Sequence, residues 1–268
     1  MTELNEIRDE TSTYARSKKL AMYLERIRDK TKREIVIELA KPENLDWLSG
    51  VPSVFLFDPD RILVLINSKT VISIQQLYLL PVEEIIEELI AHEATHGLLI
   101  HGMGFCRNVV ENSASDSARK QISILFSMVQ DIRVNKILQE ESYSPLGGVY
   151  LYRVMDEIES MWKGEDYYDN YSYDPLLKDR NMVWHYIMAW AYLKYFDLEF
   201  IDRTTIEKFT RIFENKYPKQ FEMASQARTI ILQNDILSAE GHNNAMKELV
   251  KLWELEDLVR LETIAPTA

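Results

Sequence analysis

The most definite chemistry in this chain belongs to His92-Glu93-Ala94-Thr95-His96, an HExxH segment. Two histidines four positions apart on a helix project from the same face, one turn apart. Their imidazole nitrogens can therefore bind one Zn²⁺, and Glu93 can reach a water at that ion and act as general base. The segment predicts a zinc site in which His92 and His96 are two of the ligands.

The periodicity around the HExxH segment predicts that it lies on a buried helix face. Pro81 suits the first position of a helix that runs to about residue 101. The apolar stripe of this helix consists of Val82, Ile85, Ile86, Leu89 and Leu99. His92, Glu93 and His96 continue that stripe at positions where apolar side chains are expected. Burying polar groups costs roughly a few kcal/mol each unless they are satisfied. A metal ion satisfies all three together, and a buried hydrogen-bond network is the alternative.

A catalytic zinc site has three protein ligands and one open position, so a third ligand is required. Asp131 is the first candidate, because it interrupts an apolar line on the next predicted helix, with Asn135 one turn further on to orient a ligand. Glu111, in the segment between the two helices, is a second candidate. His101 is a third, although it would point about 140° away from His96 around the helix.

Peptide hydrolysis usually also needs a group that stabilises the oxyanion. The candidates for oxyanion stabilisation are His185, Tyr186, Tyr150 and Tyr152. For His185 the alternative is a core or surface histidine in an aromatic helix. Cys106 could be a fourth zinc ligand in a latent form, or simply a small hydrophobic residue. His242 follows Gly241 just before a predicted helix, which indicates a capping or surface residue.

Composition and charge narrow the class of protein. The chain has 268 residues and a net charge of −12, which argues against a main role in gripping phosphate backbones. Its single cysteine rules out an internal disulfide and favours a reducing compartment. Residues 1–10 are polar, and no apolar run is long enough to span a bilayer. We therefore expect a cytoplasmic protein with a peptide or protein substrate and no nucleic-acid or membrane partner.

The elements that must position the motif fall into two parts. Strands are predicted between about residues 34 and 75, after a helix near 11–32, with a turn at Asp58-Pro59-Asp60. Everything after Pro81 has helical patterns, with helices predicted near 81–101, 115–140, 149–163, 176–197, 203–215, 218–236 and 243–260.

These patterns predict one α+β unit over residues 1–268, with a small β-sheet packed on the HExxH helix and a largely helical C-terminal half. Within it, residues 1–80 form the N-terminal helix and sheet. Residues 81–140 form a metal-binding helix pair, and residues 141–268 form a helical subdomain.

Strands, then a helix with an HExxH segment, then a second helix with an acid, resemble the zincin metallopeptidases. More narrowly, Asp131 and Asn135 resemble the gluzincin branch, in which a downstream helix supplies a Glu ligand with an Asp one turn later. Gln130-Asp131-Ile132-Arg133 is similar to the Glu-Asp-x-Arg segment of some intracellular HExxH metallopeptidases, with Gln130 in place of Glu. The resemblance implies zinc-dependent peptide hydrolysis with Glu93 as general base. The departure at Gln130 keeps open an inactive zincin-fold binding or regulatory protein.

Overall fold

A computed structural model describes residues 17–40, 53–78, 81–143, 168, 174–196 and 203–265. These residues form eight helices and five strands, so the predicted α+β class is confirmed, with helix predominating. In chain order the elements are α1 (Lys18–Thr31), β1 (Glu34–Leu39), β2 (Ser53–Phe57), β3 (Arg61–Ile66), α2 (Ser68–Tyr78), α3 (Val82–Met103), β4 (Cys106–Val110), α4 (Asp116–Glu140), α5 (Pro175–Tyr195), α6 (Arg203–Lys216), α7 (Pro218–Gln233), α8 (Ala239–Leu252) and β5 (Val259–Thr263).

The chain divides into two compact units. The first comprises Met1–Gly104, Ile137–Leu146 and Ala265–Ala268, and the second comprises Phe105–Lys136 and Gly147–Ile264. The long helix α4 contributes its last turn to the first unit and the rest of its length to the second. No helix in the described ranges is both long and apolar enough to cross a membrane.

The first unit contains a three-stranded mixed sheet in the order β1-β3-β2. The central strand, β3, runs parallel to β1 and antiparallel to β2. The predicted turn between β2 and β3 is confirmed, because the Asp58 carboxylate accepts bonds from the Asp60 amide at 2.9 Å and the Arg61 Nε at 3.0 Å. Among the described residues, β2 therefore forms one edge of this sheet.

Helix α3 packs on β2, β3, α1 and α2 within the first unit. It begins after Pro81 and ends at Gly104, whose φ of 76° is a left-handed conformation that glycine adopts without strain. The predicted apolar stripe is buried, and from residue 89 to residue 101 burial extends around the whole helix. Gly97 marks the closest approach to the sheet, since a Cβ there would lie 2.6 Å from a methyl carbon of Ile62.

The second unit has a helical core formed by α5, α6, α7 and α8, together with a two-stranded antiparallel ladder of β4 and β5. The ladder corrects the prediction that everything after Pro81 is helical. The helix predicted at 243–260 is wrong at its end, because α8 stops at Leu252 and residues 259–263 pair with β4. These strands were missed because each has five residues and its partner is remote in the chain.

Two other differences concern the predicted elements. The strand region predicted to extend to residue 75 contains helix α2, although Val71, Ile72 and Ile74 are β-branched. Asn67 explains this local outcome, since its carbonyl accepts from the Val71 amide at 3.0 Å and its side chain lies 3.4 Å from the Thr70 amide. The helix predicted at 149–163 lies outside the described residues.

Candidate metal centre

His92 and His96 lie one turn apart on α3, as the motif predicts, and both are buried. Their Nε2 atoms are 3.2 Å apart, and the ring centroids are 4.9 Å apart with planes inclined at 72°. Two imidazole nitrogens on a tetrahedral zinc, each 2.0–2.1 Å from the ion, are separated by about 3.3 Å. The histidine pair therefore already has the spacing that one zinc ion requires.

Glu93 is buried beside the histidines, and both of its carboxylate oxygens are bonded to strand β2. The Ser53 hydroxyl donates to Oε1 at 2.7 Å, and the Phe55 amide donates to Oε2 at 2.7 Å. A carboxylate oxygen has two lone pairs, so each oxygen can still accept one more hydrogen bond. Strand β2 thus fixes the orientation of Glu93 while leaving it able to accept a proton.

Thr95 attaches the centre of the motif to helix α1. Its hydroxyl lies 2.6 Å from the Ala91 carbonyl and 2.6 Å from the Tyr23 hydroxyl. Because a carbonyl can only accept, Thr95 donates to Ala91 and Tyr23 donates to Thr95. Burial raises the pKa of Tyr23 to about 12, which keeps it a neutral donor. Thr95 thus joins α3 to α1, whereas the hydrogen bonds from β2 are with Glu93.

Asp131, the first candidate for the third ligand, lies on the part of α4 that belongs to the second unit, and its role as a ligand stays a prediction. Asp131 is half-buried on α4. Two imidazoles and one carboxylate form a donor set typical of catalytic zinc.

The other two candidates for third ligand, His101 and Glu111, contact residues of their own units. The His101 ring stacks on Phe57 with centroids 5.2 Å apart and meets the edge of Phe55 at 6.5 Å. Glu111 is exposed just after β4, where its amide donates to the Leu258 carbonyl at 3.0 Å. His101 thus contributes to packing on β2, and Glu111 lies at the end of a β-ladder.

Gln130 and Asn135, which flank Asp131 on α4, contact other parts of the second unit. The buried Gln130 amide donates to the Cys106 carbonyl at 3.1 Å. The buried Asn135 amide lies 3.4 Å from the Tyr192 hydroxyl. Gln130, which stands where the similar metallopeptidase segment has Glu, therefore binds the first residue of β4.

His185 lies in the second unit and is fully buried. Its Nδ1 is 3.1 Å from the Tyr168 hydroxyl, and its ring packs beside Trp184 at 4.8 Å. Tyr186 donates to Glu214 at 2.7 Å. These contacts are those of core residues, and a role of His185 in oxyanion stabilisation stays a prediction. Tyr150 and Tyr152 lie outside the described residues.

Cys106 and His242 are neighbours in the second unit. The Cys106 sulfur is 4.0 Å from His242 Nδ1, and burial raises the pKa of the thiol to about 12. A thiol that stays protonated is a poor nucleophile and a poor ligand. His242 is fully buried against the Phe105 ring, so the prediction that it is a capping or surface residue is wrong. The sequence placed His242 just before a helix, whereas it lies in the first turn of α8 and faces the core.

Sequence reasoning missed Ser53, Phe55 and Tyr23 as neighbours of the motif. Each lies at least 38 positions from its partner in α3, so no local pattern connects them. The chain matches no protein-family model, no curated protein sequence and no solved structure. The resemblance to zincins therefore rests on the motif and its surroundings alone.

Proposed function

We propose that this protein is a zinc-dependent metallopeptidase of zincin-like architecture, with His92, His96 and Asp131 as metal ligands and Glu93 as general base. The observation that carries the proposal is the 3.2 Å separation of the two histidine Nε2 atoms. Two buried imidazoles at this spacing, with a buried glutamate between them in the chain, suit one zinc ion better than they suit an apolar core.

Zinc in this site would polarise a substrate carbonyl and activate water for attack on it. Glu93 accepts the proton of the attacking water and delivers it to the leaving amine. The bonds from β2 keep its carboxylate in place for both transfers. His92, Glu93 and His96 are themselves buried, and low exposure to water strengthens electrostatic interactions between groups.

The test combines metal analysis with proteolysis. Protein purified without a histidine tag is expected to contain about one zinc per chain. It should cleave members of a peptide library, and a chelator should abolish the cleavage. Glu93→Gln should retain zinc while turnover falls by about a hundredfold or more. Full zinc and full turnover in Glu93→Gln would show that the general-base role is wrong.

A second candidate is a zincin-like protein that binds metal and peptides without turnover. It is favoured by the double hydrogen bonding of Glu93 and by Gln130, which replaces the acid of the similar family segment. Stoichiometric zinc together with peptide binding, but without cleavage of any library member, would select this candidate.

A further inference from the structure

The Glu93 carboxylate accepts hydrogen bonds from two donors on the edge strand β2. One oxygen accepts from a backbone amide, that of Phe55, and the other accepts from a side-chain hydroxyl, that of Ser53. Both donors lie 2.7 Å from their acceptors. The bond from Ser53 can be removed by replacing its side chain, whereas the backbone bond from Phe55 stays in place, so the two contributions can be separated.

The hydroxyl fixes a degree of freedom that the amide leaves open. A glutamate carboxylate rotates broadly about its last side-chain bond, because that torsion has no sharp staggered minima. A single bond from Phe55 restrains one oxygen, and the other can still swing about it. The second bond, from Ser53, sets the plane of the carboxylate and so the direction of its remaining lone pairs.

We propose that Ser53 is a positioning residue that acts through Glu93. By holding Oε1, it aims the carboxylate at the water from which Glu93 takes a proton. This inference rests on the proposed peptidase function. It assigns to the first residue of β2 a part in turnover that the HExxH motif does not contain.

A purely structural role for Ser53 is the competing explanation, because the residue is 4% exposed and joins β2 to α3. A structural bond would lower stability without a selective effect on turnover. Tyr23→Phe provides a matched control, since it also removes one buried hydroxyl bond to α3, that from Tyr23 to Thr95.

Full-length Ser53→Ala, Ser53→Thr and Tyr23→Phe proteins are compared by zinc content, thermal unfolding, kcat and KM. Ser53→Ala and Tyr23→Phe should lose similar amounts of Tm, on the order of a few degrees. Ser53→Ala alone should lose about tenfold to a hundredfold in kcat, with zinc content and KM little changed. Ser53→Thr keeps the hydroxyl and should recover most of kcat.

The decisive comparison is a double-mutant cycle with Glu93→Gln. If Ser53 acts through Glu93, Ser53→Ala should not lower the residual rate of Glu93→Gln any further. The same cycle followed by Tm should show coupling between the two sites, which tests the contact without any activity. Equal kcat losses in Ser53→Ala and Tyr23→Phe, or additive losses in the kinetic cycle, would overturn the inference.

Failure of the proposed function has a different signature. It would leave the wild-type protein without chelator-sensitive cleavage, and the positioning role would be overturned with it. Wild-type cleavage that persists undiminished in Ser53→Ala would overturn the positioning role alone.

Discussion

At the scale of single residues, each polar side chain of the HExxH segment is held by a different kind of neighbour. His92 and His96 face each other, Glu93 is bonded to β2, and Thr95 is bonded to Tyr23 of α1. Breaking a buried hydrogen bond of this kind costs roughly 1–3 kcal/mol. The polar side chains of the segment are therefore held by one another, by the sheet and by α1.

The role of Asp131 decides the composition of the proposed metal site. Asp131→Ala should lower zinc affinity by about a hundredfold or more, because loss of a ligand exceeds the tenfold to hundredfold effect of losing a residue that only orients one. Glu111→Ala removes a carboxylate that is exposed after β4 and should keep full zinc content. Competition with a chromophoric chelator measures both affinities. If Glu111→Ala lost zinc and Asp131→Ala retained it fully, Glu111 and not Asp131 would be the third ligand.

At the scale of elements, helices were predicted better than strands, for a physical reason. The apolar residues of α3 and α4 recur every three or four positions, so a short stretch of sequence is enough to predict a helix. Strands β4 and β5 depend on each other across the chain, and neither is long enough to show a period. Helix α2 was missed for a different reason. Its β-branched residues favour a strand, while Asn67 at its start favours a helix.

Helix α3 also contains a carboxylate with a shifted pKa, which predicts a pH effect on stability. Burial, and then the nearby Glu84, raise the pKa of Glu88 to about 7, against the opposing effect of Lys19. Because the folded-state pKa is the higher one, the stabilising contribution of protonated Glu88 is fully present below about pH 4.5. It is lost as pH rises through about 7.

The corresponding variant is Glu88→Gln, which mimics the protonated side chain at every pH. Its Tm should equal that of the wild type near pH 5 and exceed it by a few degrees at pH 8. Glu83→Gln removes the same charge from an exposed position of α3 and controls for net charge. A Tm advantage of Glu88→Gln that does not change between pH 5 and 8 would contradict the assignment.

At the scale of the whole molecule, the sequence predicted the buried polar side chains that lie together on one helix, namely His92, Glu93 and His96. Asp131 was predicted from an interrupted stripe on α4, and its part in a metal site stays a prediction. The contact of Ser53 with Glu93 could not be predicted, because it depends on how a strand edge meets α3, 40 positions away. The side chains proposed to perform the chemistry are thus marked by local patterns, and their neighbours are determined by the fold.

Removal of the metal should lower the thermal stability of the whole protein. A ligand that binds only the folded state stabilises it by about 2.7 kcal/mol at a free concentration one hundred times Kd. For a chain of this size that corresponds to a rise in Tm of roughly 5–10 °C. Chelated protein should therefore unfold at a lower temperature than protein with added zinc, and zinc should restore the higher Tm.

Variants show whether this stabilisation comes from zinc bound by the proposed ligands. His96→Ala and Asp131→Ala should lose the zinc-dependent part of Tm, whereas Ser53→Ala should keep it, because its hydroxyl holds the base and not the ion. If zinc raised the Tm of His96→Ala as much as that of the wild type, the ion would have to bind elsewhere. The HExxH segment would then be a buried hydrogen-bond network, in which the 3.2 Å contact between the histidines is an ordinary bond between neighbouring rings.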